Sequence, residues 1–322
     1  MQAAEKIREL LPKEAARQFD DIIQGRVLGA GTHIRMIGNM MLAIAGLDIP
    51  SGEMISRCTA LGEYFKETRG KSSYAIISAV NLMTGGFADC EPGPESAQLI
   101  RDSVEAFFAD SAKATGKIVE YFTRLVENRH MKTLMVFDYS STVEKCLCAL
   151  EQPVTVYVPE SRVIDGGRPF VGPFVRAGHK VRFIADAAML TVLRDVDGVF
   201  IGAETFYPDG TAFNTAGSDL LAEVCGLYHV PYYVLTPLLK VDMRAAAGTL
   251  KQVISADLAG RLGAGWEQDL REAVDFHSIE LVAVGPKLVT AFVTEEGIIP
   301  ATAMFHTAAA YDRRVNEGRS RR

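Results

Sequence analysis

Apolar residues recur at steps of three and four through the first part of the chain, the period of helices that bury one stripe. This pattern predicts helices over 2–22, 32–46, 51–68, 73–84 and 95–129. The last is the clearest: Val104, Phe107, Phe108, Ile118, Phe122, Leu125 and Val126 share a face, with Lys113, Lys117, Glu120 and Arg124 between them. Pro92-Gly93-Pro94 breaks the chain ahead of it. Gly116 within it costs about 1 kcal/mol relative to alanine, which marks a kink or a close packing contact.

From Thr133 the period changes. Five short runs rich in β-branched and aromatic residues follow, at 134–139, 154–160, 181–186, 198–204 and 232–236, with helical stretches at 142–150, 170–177, 188–194 and 218–229 between them. Runs without polar alternation predict strands covered on both faces, hence a parallel sheet flanked by helices. Segment 279–297 is expected to close that sheet. The fold class expected is therefore α/β, with an N-terminal helical domain over 1–130. A Rossmann-like parallel-sheet domain with helices on both faces follows over 131–322 and carries most of the ligand site.

Composition excludes several classes of function. Of 322 residues, 48% are hydrophobic and 23% charged, which is ordinary for a folded globular chain and excludes global disorder. A net charge of −6 offers no basic surface for direct contact with nucleic acid. No uncharged apolar run approaches the roughly 20 residues of a spanning helix, so no membrane partner is expected. The N-terminal MQAAEKIREL lacks the apolar core of a secretory signal, and a cytoplasmic location is expected. The five cysteines at 58, 90, 146, 148 and 225 lack metal-site spacing. No metal and no cofactor is expected, and the thiols read as free and buried.

In open α/β sheets, ligands bind beyond the carboxyl ends of the strands. The polar residues expected there are Asp138-Tyr139-Ser140-Ser141, Glu160-Ser161-Arg162, Asp186, Glu204 and Thr236. Ser141, Asp186 and Ser218 also stand where helix N-caps are wanted, and each alone reads as a cap. Asp138, Arg162 and Glu204 together read as a site. Two segments ahead of the sheet suit an anion. Gly29-Ala30-Gly31-Thr32 lets backbone N–H groups approach a ligand before a helix, or is a plain helix–helix turn. Thr68-Arg69-Gly70-Lys71-Ser72-Ser73 joins two cations to three hydroxyls without the spacing of a P-loop. With Arg162, these cations are expected to converge on one phosphorylated small molecule.

Seven segments resemble, in order, the motifs of one superfamily: GRVLGAGTHI (25–34), TRGKSS (68–73), VFDYSSTV (136–143), VPESRVIDGG (158–167), GAETFYPDGTAFNTAGS (202–218), TPLLKVD (236–242) and VTEEGIIP (293–300). That superfamily holds the regulatory α, β and δ subunits of initiation factor 2B together with the methylthioribose-phosphate and ribose-bisphosphate isomerases. The resemblance implies that Gly29, Ala30, Gly31, Arg69, Lys71, Ser72, Ser140, Arg162, Asn214 and Lys240 face a phosphorylated ligand. The isomerases use a Cys after the first strand and an Asp in a G-A-D motif; Asp138 and Glu204 stand at those positions here. Cys146 and Cys148 lie further along, on the following helix. The family Lys after Asn214 is Thr215, and its early Arg is Leu28.

Loss of the thiol points to a sugar-phosphate or nucleotide-phosphate binding protein without the family's Cys/Asp chemistry. The alternative is an aldose–ketose sugar-phosphate isomerase with Asp138 and Glu204 as its acid/base pair. The resemblance also implies a homodimer or higher homo-oligomer. Phe206, Tyr207, Phe213, Tyr228, Tyr232 and Tyr233 would serve such an interface or, more simply, fill the core.

Overall fold

A computed structural model of the chain describes residues 2–27, 29–71, 73–87, 91, 93–251 and 254–320. The chain divides into two compact units. Met1–Ala114, Leu239–Asp242 and Ala309–Arg322 form the first, and Thr115–Leu238 with Met243–Ala308 form the second.

The first unit is helical: α1 (Gln2–Glu9), α2 (Lys13–Ile23), α3 (Ala30–Ile44), α4 (Ser51–Glu67), α5 (Tyr74–Thr84) and the first part of α6 (Ser96–Asn128). The single helix expected over 2–22 is two, because Pro12 disfavours a helical conformation at the residue before it. Phe19, Ile37, Met40, Met41, Leu61, Phe65, Met83 and Val104 fill the core. A Cβ at Gly38 would stand 2.5 Å from Phe108 Cζ, so α3 and α6 pack at a distance that only glycine permits.

The second unit begins within α6 and continues through β1 (Thr133–Phe137), α7 (Ser141–Cys148), β2 (Thr155–Pro159), α8 (Arg168–Arg176) and β3 (Lys180–Ile184). Next come α9 (Met189–Val192), β4 (Gly198–Ile201), β5 (Thr205–Phe206), β6 (Ala212–Thr215), α10 (Ser218–Tyr228) and β7 (Tyr232–Leu235). After these follow β8 (Ile254–Asp257), α11 (Ala259–Leu262), α12 (Gln268–Ala273), β9 (His277–Val284), β10 (Ala291–Thr294) and β11 (Gly297–Pro300). The final helix, α13 (Met304–Ser320), starts in this unit and ends in the first.

A seven-stranded sheet has the order β11-β10-β7-β4-β1-β2-β3, with every pair parallel except β10–β11. The chain winds outward from β1 to β3, then returns to β4 and winds the other way. The reversal between β1 and β4 is the topological switch point, the place where open α/β sheets generally bind ligands. On one face Phe122, Val143, Leu147, Phe170 and Phe174 pack against Leu134, Val136, Val156 and Phe200. On the other, Tyr232 Oη donates to the Ser218 carbonyl of α10 at 3.1 Å.

Segment 279–297 does not simply close this sheet. Its first part belongs to β9, which pairs with β6 and β8 in a separate antiparallel sheet of order β5-β6-β9-β8. Gly285-Pro286 interrupts the run before β10. The run 198–204 likewise ends as a strand at Ile201, and Gly202-Ala203-Glu204 turns into the second sheet. Phe206, Tyr207, Tyr232 and Tyr233 are buried, so these aromatic residues fill the core. Among the described residues, no helix is long and apolar enough to cross a membrane, and no cluster of side chains is arranged to hold a metal ion.

Candidate functional site

Asp138 is the first residue after β1 and takes a left-handed conformation, φ 58°. Aspartate tolerates that region better than most side chains, and the turn ends the strand abruptly at the switch point. Its side chain is buried, with the residue only 6% exposed. Oδ2 accepts from Thr215 Oγ1 at 2.9 Å, and Oδ1 accepts from Ser161 Oγ at a long 3.5 Å. Burial pushes the Asp138 carboxyl up to about 6. The negative charge of Glu204 acts in the same direction, while bonds from Thr215, the Tyr139 N–H and Ser161 oppose it.

The neighbouring strand end completes one wall. Ser140 caps α7 by accepting from the Val143 N–H at 3.4 Å, the role expected of Ser141. A Cβ at Gly202 would stand 2.5 Å from Ser140 Cβ, so the chain leaving β4 passes directly over that cap. Asn214 Nδ2 donates to the Gly202 carbonyl at 3.3 Å, and Asn214 Oδ1 accepts from the Thr215 N–H at 2.9 Å. The first bond ties the end of β4 to the end of β6, and the second fixes the Asn214 amide within β6. Glu204, half-buried in the turn between them, donates its N–H to the Phe213 carbonyl at 2.8 Å.

The loop from β2 to α8 packs against Asp138 and walls it on that side. Ser161 and Asp165 are both left-handed, with φ of 49° and 54°. A Cβ at Gly166 would overlap Asp138 Oδ1, and one at Gly167 would overlap the Pro159 carbonyl. Asp186, expected as a helix cap, instead accepts the N–H groups of Ser161 and Arg162, each at 2.8 Å. The Arg162 side chain is 49% exposed. It donates to the Arg261 carbonyl at 3.2 Å and lies 3.9 Å from Asp165, while Arg261 donates back to the Val163 carbonyl.

The structure thus brings Asp138, Ser140, Glu204 and Asn214 together in the second unit, with Arg162 on the adjoining loop. Sequence reasoning did not single out Thr215, Gly166 or Gly202 for a role, and it gave Asp186 a different one. The remaining candidates belong to the first unit. Gly29, φ 92°, precedes α3, whose first residues are Ala30 and Gly31. Arg69 and Lys71 form a short turn after α4. The Arg69 guanidinium donates to the carbonyls of Ile22 and Ile23 at the end of α2, where helix carbonyls lack intrahelical partners. Lys71 is exposed, and Lys240 is half-buried. Ser72 and Leu28 lie outside the described residues.

Comparison with known proteins follows the same lines. The profile of the Initiation factor 2 subunit family matches residues 30–301. A methylthioribose-1-phosphate isomerase from Fervidobacterium nodosum is 23% identical over 210 residues, 64% of this chain and 60% of that protein. The chain therefore spans less than two thirds of that relative's length. A 5-deoxyribose 1-phosphate isomerase from Petrotoga mobilis is 25% identical over 255 residues, 73% of this chain and 74% of that protein. Two solved structures share the fold. Methylthioribose 1-phosphate isomerase from Pyrococcus horikoshii has a TM-score of 0.77 at 17% identity, over 94% of this chain and 92% of that one. Translation initiation factor eIF-2B from the same organism has a TM-score of 0.73 at 18% identity, over 90% of this chain and 98% of that one.

Proposed function

Because the chain belongs to the initiation factor 2 subunit family, we propose that it acts on a phosphorylated sugar, interconverting an aldose 1-phosphate and the ketose 1-phosphate. The single observation that carries this reading is Asp138: a buried carboxyl at the switch point, lifted to about 6, with a second carboxyl, Glu204, close enough to raise it. A carboxyl titrating near neutrality can hold a proton and release it, and paired carboxylates in different surroundings divide acid and base work.

The reaction has two proton requirements. Opening the ring of an aldose 1-phosphate breaks the bond from C1 to the ring oxygen, which must gain a proton. Turning C2 into a carbonyl removes the proton of the 2-hydroxyl, while the hydrogen on C2 moves with its electron pair to C1, which ring opening has left electron-poor. Protonated Asp138 supplies the first proton and ionised Glu204 takes the second; return of one proton from Glu204 to Asp138, directly or through water, resets the pair for the next turnover. Isomerase relatives that act on 1-phosphates of methylthioribose and 5-deoxyribose support this substrate class. Free thiols at Cys58, Cys146 and Cys225, which are buried, and at Cys148, which is exposed rather than buried as expected, suit a reducing compartment. Assembly into a homo-oligomer is part of the same reading.

A second reading, binding without turnover, is favoured by Thr215. Its hydroxyl is committed to Asp138, at a position where the family resemblance puts a lysine. One experiment separates the two. The protein is mixed with methylthioribose 1-phosphate, 5-deoxyribose 1-phosphate and ribose 1,5-bisphosphate, with ketose formation followed by NMR and thermal stability measured alongside. Conversion that disappears in Asp138→Asn and Glu204→Gln supports the isomerase. Stabilisation without conversion supports binding; a ligand at 100 times its dissociation constant adds about 2.7 kcal/mol. No conversion and no stabilisation by any of the three overturns both.

A further inference from the structure

We propose that Asp186 is a positioning residue for this site, holding the β2–α8 loop against Asp138 by taking two consecutive backbone N–H groups on its two carboxylate oxygens. This rests on the reading of Asp138 as the site's acid.

Arg261 holds the middle of the loop through the Val163 carbonyl, but its contacts do not reach the Ser161 backbone. The loop leaves β2 and must reverse within a few residues, so Ser161 and Asp165 adopt the left-handed region, which is costly for side chains with a Cβ. Its internal bonds, from the N–H groups of Ile164 and Gly166 to the Ser161 carbonyl, are both 3.2 Å. The Gly167 N–H reaches the Glu160 carbonyl at 3.0 Å. The bonds to Asp186, at 2.8 Å each, are shorter and charge-assisted, the stronger class of hydrogen bond. They grip Ser161 itself, whose hydroxyl faces Asp138 Oδ1, and its neighbour Arg162. Gly166, five residues on, lies against the same oxygen. Asp186 therefore sets the distance between Asp138 and its wall from a strand end two positions away in the sheet, without touching Asp138.

An ordinary loop anchor would affect stability alone, whereas a positioning residue must be felt at the Asp138 carboxyl. The groups facing that carboxyl are Thr215, Ser161, the Tyr139 N–H and charged Glu204. Of these only Ser161 is held by Asp186. In Asp186→Asn one acceptor becomes an NH2 donor, so one of the two loop N–H groups loses its partner. Ser161 then drifts from Asp138, and the carboxylate loses a donor that favours its ionised form.

The test is the carboxyl ¹³C titration of Asp138, assigned by its absence in Asp138→Asn. It needs no turnover, so the inference and the isomerase reading fail separately. The expected result is a rise of the Asp138 midpoint in Asp186→Asn by about threefold in proton affinity, matched by Ser161→Ala. The double variant is expected to show no more than Ser161→Ala alone, because both act through one hydroxyl. An unmoved midpoint in a folded Asp186→Asn, or shifts that add, overturns the proposal. Amide exchange in the unmutated protein guards against a variant that fails to fold. The N–H groups of Ser161 and Arg162 are expected to be protected; exchange of both at the rate of free amides overturns it equally.

Discussion

Thr215 Oγ1 donates to Asp138 Oδ2 at 2.9 Å, joining residues 77 apart in the chain. The bond links the end of β6, in the small antiparallel sheet, to the end of β1, in the large parallel one. It also opposes the effect of burial, because a hydroxyl donor favours the ionised carboxylate while desolvation favours the neutral acid.

Thr215→Val removes that donor at little cost in shape. The Asp138 midpoint is expected to rise above about 6, and the high-pH limb of turnover to move up with it. Stability is expected to fall by about 1–2 kcal/mol at pH 8, and by less at pH 4, where the carboxyl is already protonated. Urea unfolding at the two pH values measures the difference. Equal losses at both would show that the bond does not depend on the charge of Asp138.

Asp138→Asn is expected to abolish turnover yet stabilise the fold at neutral pH. The folded value, about 6, lies above the ordinary 3.8, so the folded protein binds this proton more tightly than the unfolded chain does. The stability this contributes is complete below about pH 4 and is lost as pH rises through about 6. Relative to wild type, the variant should gain up to about 3 kcal/mol between pH 4 and pH 7.5, an upper limit set by the rise from 3.8 to about 6. Denaturant unfolding across that range checks the sign. A gain that is the same at every pH would exclude a raised Asp138.

Glu204→Gln keeps the shape of the turn and removes a negative charge. Asp138 should then titrate at lower pH, because the charge that helped raise it is gone. Turnover should fall by about 10²–10⁴-fold, the ordinary worth of a positioned base. Carboxyl NMR and steady-state rates on the same sample measure both. A change in rate without movement of Asp138 would mean that the two carboxyls are not electrostatically linked.

Gly166→Ala places a methyl group where Asp138 Oδ1 already stands. The expected cost is about 1–3 kcal/mol of stability, together with loss of activity. The same substitution in an Asp138→Ala background should cost much less, since the clashing oxygen is absent. A double-mutant cycle by thermal unfolding measures the coupling. Strict additivity would place the strain elsewhere in the loop.

Most helices and the strands β1–β4 and β7 were legible from the amino-acid sequence, whereas the break at Pro12 and the small antiparallel sheet were not. The change of apolar period at Thr133 marks where helices give way to strands, and uninterrupted apolar runs such as 134–137 mark a sheet covered on both faces, because these signals are carried by neighbouring residues. The family motifs and the strand-end rule also pointed to Asp138 and Glu204. What those residues experience follows from the folded chain alone. That Asp138 loses its water, that Thr215 and Ser161 reach it, that Gly166 lies against it, and that Arg162 turns to the Arg261 carbonyl all depend on long-range packing. The same holds for β9, whose apolar run suits either sheet until its partners, β6 and β8, are known. Periodicity reports which face of an element is apolar, whereas desolvation and hydrogen bonding depend on which distant segments the crossovers bring beside it.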